Sequence, residues 1–262
     1  MKQFFERDIW EDLLKWKNTS KATLEVHGAR QVGKTTVLKK FCKEEFVQAV
    51  YINMADNTGK RFLSCIEKWH SRYYITYTDR TWMPELFKLY RSDFVDAKST
   101  VILIDEIQES SMVYNLIRNI TRDMEAKCIV TGSYLGKLLD RDFFLPAGDV
   151  EQLIMYSLSF SEFLAVFGKR DLQKGCYDNR QTDDELKLLF EIYLRVGGYP
   201  AVIQEFLNTK DFRICLKETH KIIDTFISES RRYFDAIEDD NGFKRLLGAI
   251  AEVTINEKKV IV

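Results

Sequence analysis

The chain has little proline, only Pro84, Pro146 and Pro200, and no low-complexity segment, so nothing marks a disordered linker between separate parts. Its five cysteines, Cys42, Cys65, Cys128, Cys176 and Cys215, are scattered and odd in number, with no C-x-x-C. That excludes a disulfide framework or a cysteine zinc site and points to a reducing compartment. His27, His70 and His220 are too far apart in sequence to offer metal-ligand spacing. Charge of one sign is also missing: 39 basic residues face 40 acidic ones, which gives no overall field for nucleic acid or a membrane surface. No apolar run approaches the length of a bilayer span, and the charged start MKQFFERDIW has no signal-peptide core. The expectation is a cytoplasmic protein with no membrane partner.

What is present is an alternation of strands and helices. Residues 6–17, ERDIWEDLLKWK, place Ile9, Leu13 and Trp16 on one helical face. Strands are expected at 22–27, 47–54, 100–105 and 127–132, with one more near 150–156. TVILID (100–105) is β-branched and apolar throughout, as in a strand buried on both faces. Helices are expected at 34–46, 60–73, 84–95 and 110–124. Such alternation implies a parallel sheet with right-handed crossovers and helices on both faces. After Ser159 the pattern turns helical: 160–167, 183–196, 200–207, 211–234 and 242–253. The expected organisation is therefore a core over 1–158 and a mainly helical region over 159–262.

GARQVGKTT, from Gly28 to Thr36, sits between the first strand and the next helix. Gly28, Gly33, Lys34 and Thr35 match G-x-x-x-x-G-K-[ST]. Glycines let the backbone curl so that successive N–H groups converge on phosphate oxygens, and the following helix adds its positive end. The loop residues Gly28, Ala29, Arg30, Gln31, Val32, Gly33, Lys34, Thr35 and Thr36 are thus expected to hold a nucleotide's phosphates. Lys34 is expected to reach the β- and γ-phosphates, and the Thr35 hydroxyl to ligate Mg²⁺. The second piece is VILIDEIQ, where a buried strand ends in Asp105 and Glu106. At the carboxyl edge of a parallel sheet, Asp105 is expected near Mg²⁺, and Glu106 is expected to polarise an attacking water. No NKxD occurs, which leans toward adenine.

These residues resemble the prokaryotic AAA-like P-loop ATPases that carry a C-terminal domain of unknown function. GARQVGKTT, ILIDEIQ, VTGSY (130–134), MYSLSFSEFL (155–164) and VGGYPAVI (196–203) carry the resemblance, from about residue 5 to residue 207. Ser157 stands where the family usually has proline. The resemblance implies an α/β P-loop NTPase core of the ASCE/AAA type, followed by a helical, partly winged-helix-like region. It makes Asp105 the Walker B aspartate and Glu106 the catalytic glutamate, with ATP and Mg²⁺ as cofactors. It puts Thr131 or Ser133 where a polar sensor of the γ-phosphate would stand, although a hydroxyl there also suits a strand cap. Because family members commonly run further, the apolar stub NEKKVIV is expected to continue beyond Val262.

Three functions follow: an ATPase coupled to conformational change, an ATP-gated module that binds DNA or protein with slow or partner-dependent hydrolysis, and a small-molecule phosphotransferase. No spacing selects an arginine finger among Arg118, Arg122, Arg141, Arg195, Arg231 and Arg232. Phe5 and Trp10 read as core residues that are also near enough in sequence to pack on an adenine. Oligomerisation is possible.

Overall fold

The computed structural model describes residues 3–72, 82–132, 148–173 and 180–233, together with positions 242, 245, 246, 248–250 and 252. Among the described residues five strands form one sheet: β1 (Thr23–His27), β2 (Gln48–Asn53), β3 (Thr100–Asp105), β4 (Lys127–Gly132) and β5 (Val150–Ile154). Every pairing is parallel, and the order is β2-β3-β4-β1-β5. This is the α/β P-loop NTPase arrangement, with β4 inserted between the strand leading into the glycine loop and the strand ending in Asp105. Register brings His27 level with Gly132 and Ile154, and Asp105 level with Asn53. The carboxyl ends therefore share one edge, where ligands of such sheets bind.

Strand β3 is buried at every position. Ile102 and Ile104 join one core with Ile52, Phe62, Phe87, Tyr114, Ile120 and Val130. Val101 and Leu103 join the other, with Leu13, Trp16, Val26, Leu38, Phe41 and Ile129. The two-residue period of the strand thus feeds two cores, one on each face. Helices α1 (Ile9–Thr19) and α2 (Lys34–Glu45) pack on the second face. Trp16 also donates its indole N–H to the Ala22 carbonyl at 2.9 Å, which fixes α1 beside the start of β1. On the first face lie α3 (Asn57–Arg72), α4 (Trp82–Tyr90), α5 (Ser111–Asn115) and α6 (Ile117–Asp123).

Two helices differ from expectation. The helix expected over 84–95 ends at Tyr90, because Arg91 turns away to bond Asp93 and the Ala49 carbonyl. The single helix expected over 110–124 is α5 and α6, separated at Leu116. Ser110 caps α5 by accepting the Val113 N–H.

Beyond β5 come α7 (Phe160–Val166), α8 (Arg180–Val196), α9 (Pro200–Thr209) and α10 (Phe212–Tyr233). Gly197 stops α8 at φ 72°, and Pro200 opens α9, the stop and restart that G-G-Y-P encodes. The described positions of the expected helix 242–253 are helical. The stub NEKKVIV lies outside the described residues. The chain divides into two compact units, Met1–Pro200 and Ala201–Val262. Residues 159–200 belong to the first unit, later than the composition change near Ser159, and the Leu158 N–H bonds the Gly198 carbonyl at 2.7 Å within it. In the second unit Phe206 stacks against Phe212, 5.3 Å between centroids.

Among the described residues no helix is long and apolar enough to cross a membrane. Cys42, Cys65, Cys128 and Cys215 are buried free thiols, and burial raises Cys42 and Cys128 to about 12 each. Phe62 is fully buried between Phe87 and Tyr90. Phe62→Ala should lower the unfolding free energy by about 3–5 kcal/mol, measured by urea denaturation.

Candidate functional site

The glycine loop starts where β1 meets β5. Gly28 has φ 149°, and a Cβ there would fall 2.0 Å from the Met155 carbonyl oxygen. Met155 in turn donates its N–H to the His27 carbonyl at 2.8 Å. Only glycine fits both that space and that backbone. Gln31 takes the left-handed region at φ 61°, the crest of the curl. The Val32 side chain is buried in the α1–α2 core and pins the loop from beneath. Gly33, at φ 98°, is the residue before α2 and provides no side-chain cap. The first bond of the helix runs from the Val37 N–H to the Gly33 carbonyl. The N–H groups of Lys34, Thr35 and Thr36 precede it, so they have no acceptor within α2. Ala29, Gln31 and Thr36 are exposed, and Arg30 is half-buried.

Lys34 folds back over the loop. Its Nζ donates to the carbonyls of Gly28 and Ala29, both at 2.8 Å. Burial holds its pKa below the usual 10.5; the charges of Glu106 and Asp105 pull it up, and Arg30 pushes it down. Both carboxylates therefore act on the lysine through space, although they lie some seventy positions away.

Asp105 is buried and fully bonded at the end of β3. Its Oδ2 accepts the Thr35 hydroxyl at 2.9 Å and the Tyr51 phenol at 3.0 Å. Its Oδ1 accepts the N–H of Glu106 at 3.0 Å. Glu106 stands in the left-handed region at φ 51°, an uncommon place for a residue with a Cβ. The Gln108 amide donates to the Glu106 carboxylate. Gly132 leaves room for this, since a Cβ there would lie 2.1 Å from Gln108 Oε1.

The structure thus brings Gly28, Gly33, Lys34, Thr35, Asp105 and Glu106 to one edge of the sheet. It does not bring the Thr131 hydroxyl there. That side chain is fully buried and donates to the Val26 carbonyl at 2.7 Å, so it ties β4 to β1. Ser133 lies outside the described residues. Of the arginines weighed as fingers, Arg118 and Arg122 both pair with Asp149, at 3.3 and 2.9 Å. Arg141 lies outside the described residues, and the side chains of Arg231 and Arg232 do too. Phe5 is buried, and Trp10 packs edge-on against Phe41.

Two participants, Tyr51 and Gln108, receive no role from the sequence. Tyr51 sits at a half-buried position of β2 and reads as one more aromatic of a strand. Burial comes first in raising its phenol above the usual range, then the Asp105 charge, so it stays a donor. Gln108 closes the ILIDEIQ motif, and its contact with Glu106 shows only in three dimensions. Thr35 and Asp105 supply hard oxygens of the kind Mg²⁺ takes together with substrate phosphates. Among the described residues no cluster of three His, Cys, Asp or Glu is placed to hold a metal.

A family model described as an AAA domain matches residues 20–164, which run from just before β1 into α7. No curated protein matches the chain. Among solved structures it is similar to the Walker-type ATPase of Pyrococcus abyssi, at 17% identity and a TM-score of 0.52, over 90% of this chain and 77% of that one. It also matches the Orc1 protein of Aeropyrum pernix, solved in complex with DNA, at 13% identity and a TM-score of 0.41. That match covers 66% of this chain and about half, 51%, of the other. At such identities the likeness to the first is one of fold, and the second adds nothing to it.

The Gly28–Met155 contact has a direct consequence for stability. Gly28→Ala must push β5 away from the loop and hold alanine at a strained φ, at a cost of at least about 1–3 kcal/mol. The expected result is a lower urea midpoint, with the Met155 amide exchanging faster than those of β3.

Proposed function

Because the chain belongs to the AAA domain family and has the α/β P-loop NTPase fold, we propose that it binds ATP with Mg²⁺ and hydrolyses it, coupled to conformational change. One observation carries the reading: Thr35 bonds Asp105 at 2.9 Å, directly beside first-turn amides that have no acceptor in their helix.

In this proposal the backbone from Gly28 to Thr36 wraps the phosphates, and Lys34 leaves its carbonyls to pair with the β- and γ-phosphate oxygens. Thr35 and Asp105 would hold Mg²⁺, and Tyr51 keeps the aspartate turned toward it. The ion, when bound, supplies neutralisation of phosphate charge. Glu106 accepts the proton of a water whose oxygen attacks the γ-phosphorus in line. The bond from that phosphorus to the bridging oxygen breaks, leaving ADP and inorganic phosphate. Thr36 and the backbone at Ala29, Arg30, Gln31 and Val32 serve binding and not chemistry. A cytoplasmic site of action suits the buried free thiols.

A second reading draws on Gln108. Its bond engages the Glu106 carboxylate, so the resting protein holds its proposed base back. An ATP-gated module that binds protein or DNA, with hydrolysis released by the partner, uses the same site. A net charge of −1 gives DNA no special support as that partner.

Phosphate release from ATP and GTP, with and without DNA, separates these readings. Glu106→Gln is expected to retain ATP binding and lose about 10²–10⁴-fold in turnover; unchanged turnover removes Glu106 from the mechanism. Lys34→Ala is expected to weaken ATP binding itself, read by calorimetry. The depressed pKa of Lys34 gives this binding a pH dependence. The ammonium is present below that pKa and lost as pH rises through it, so ATP affinity should fall in the alkaline range before 10.5 is reached. Lys34→Ala should flatten that fall.

A further inference from the structure

Arg7 lies in a charged stretch, ERD, that reads as solvated, yet only 7% of it is exposed. Its Nε donates to Glu162 Oε1 at 3.0 Å. One terminal nitrogen donates to the Val32 carbonyl at 2.8 Å, the other to the Tyr156 carbonyl at 2.6 Å. Glu162 is itself fixed. Its Oε1 also accepts the Asp8 N–H at 2.7 Å, and its Oε2 accepts the Ser159 N–H at 2.8 Å. Ser159 returns a capping-box bond by accepting the Glu162 N–H at 3.1 Å. A buried guanidinium is tolerated when its fork is matched and its charge is balanced, and both conditions are met.

The Val32 carbonyl shares a planar trans peptide with the N–H of Gly33, so the two point in opposite directions. Whatever holds that carbonyl from behind aims that N–H forward. The Cβ position of Gly33 is 3.8 Å from the same arginine nitrogen and 3.6 Å from Pro200, so the arginine lies against the loop and not merely near it. We infer that Arg7, anchored by Glu162, is a positioning residue of the phosphate loop: it orients the Val32–Gly33 peptide so that its N–H faces the bound phosphates. This rests on the nucleotide reading of the loop. It also gives the LSFSEF segment a task, since Ser159 and Glu162 hold the arginine that holds the loop.

Arg7→Lys keeps the charge and loses the fork, and Glu162→Gln keeps the shape and loses the charge. Calorimetry with ATP and with pyrophosphate, on wild type and both variants, tests the inference. Circular dichroism first establishes a temperature at which all three are folded. Both variants should bind both ligands about tenfold more weakly, as befits a lost charge-assisted bond. The loss should be equal for the two ligands, because it lies in the phosphate contacts. In nucleotide-free protein, the Gly33 amide resonance should shift in both variants while those of β3 stay in place, which a merely structural ion pair does not require. Folded variants with wild-type affinities and an unmoved Gly33 resonance overturn the inference alone. A wild type that binds neither ligand overturns the nucleotide reading, and this role with it.

Discussion

The hydrogen bond from Thr35 to Asp105 joins two parts of the sheet that are not neighbours. Thr35 lies in the first turn of the helix after β1, Asp105 ends β3, and β4 runs between those strands. The bond therefore passes over the end of β4, and the end of β4 is built to allow it. Thr131 turns its hydroxyl down to the Val26 carbonyl, and Gly132 presents no side chain where Gln108 needs the space.

That constraint links motifs that look independent in the sequence. The glycine of VTGSY makes room for the glutamine of DEIQ, which holds the glutamate beside the Asp105 carboxylate. The glutamate of LSFSEF holds Arg7, which holds the loop. Each motif touches another one, so the spacing between them reflects contacts in space and not a series of separate sites. The glycine loop is supported from below by Val32, from behind by Arg7 and from one side by Met155.

Much of this was legible in the sequence, for identifiable reasons. TVILID and KCIVTG gave the bounds of β3 and β4 because runs buried on both faces have sharp polar ends. The glycine loop was legible because its chemistry demands fixed residue types at fixed spacing. The break at Leu116 was not, since Val113, Tyr114, Ile117 and Ile120 keep one buried face across it and periodicity does not register a single turned residue. Phe94 likewise continues the apolar period of α4 after the helix has ended, because it is buried from a turn. Arg7 and Tyr51 were invisible for another reason. An arginine among charges and a tyrosine in a strand are ordinary, and only three dimensions show that one reaches the loop and the other the aspartate.

Lys34 resting on the carbonyls of Gly28 and Ala29 has a consequence for selectivity. An empty loop with a bare ammonium would attract any small anion in the surroundings. Here two of the three N–H groups are already taken by its own backbone, so a ligand that draws the ammonium out must replace both bonds with acceptors of its own, and a ligand with fewer acceptors gains less from it.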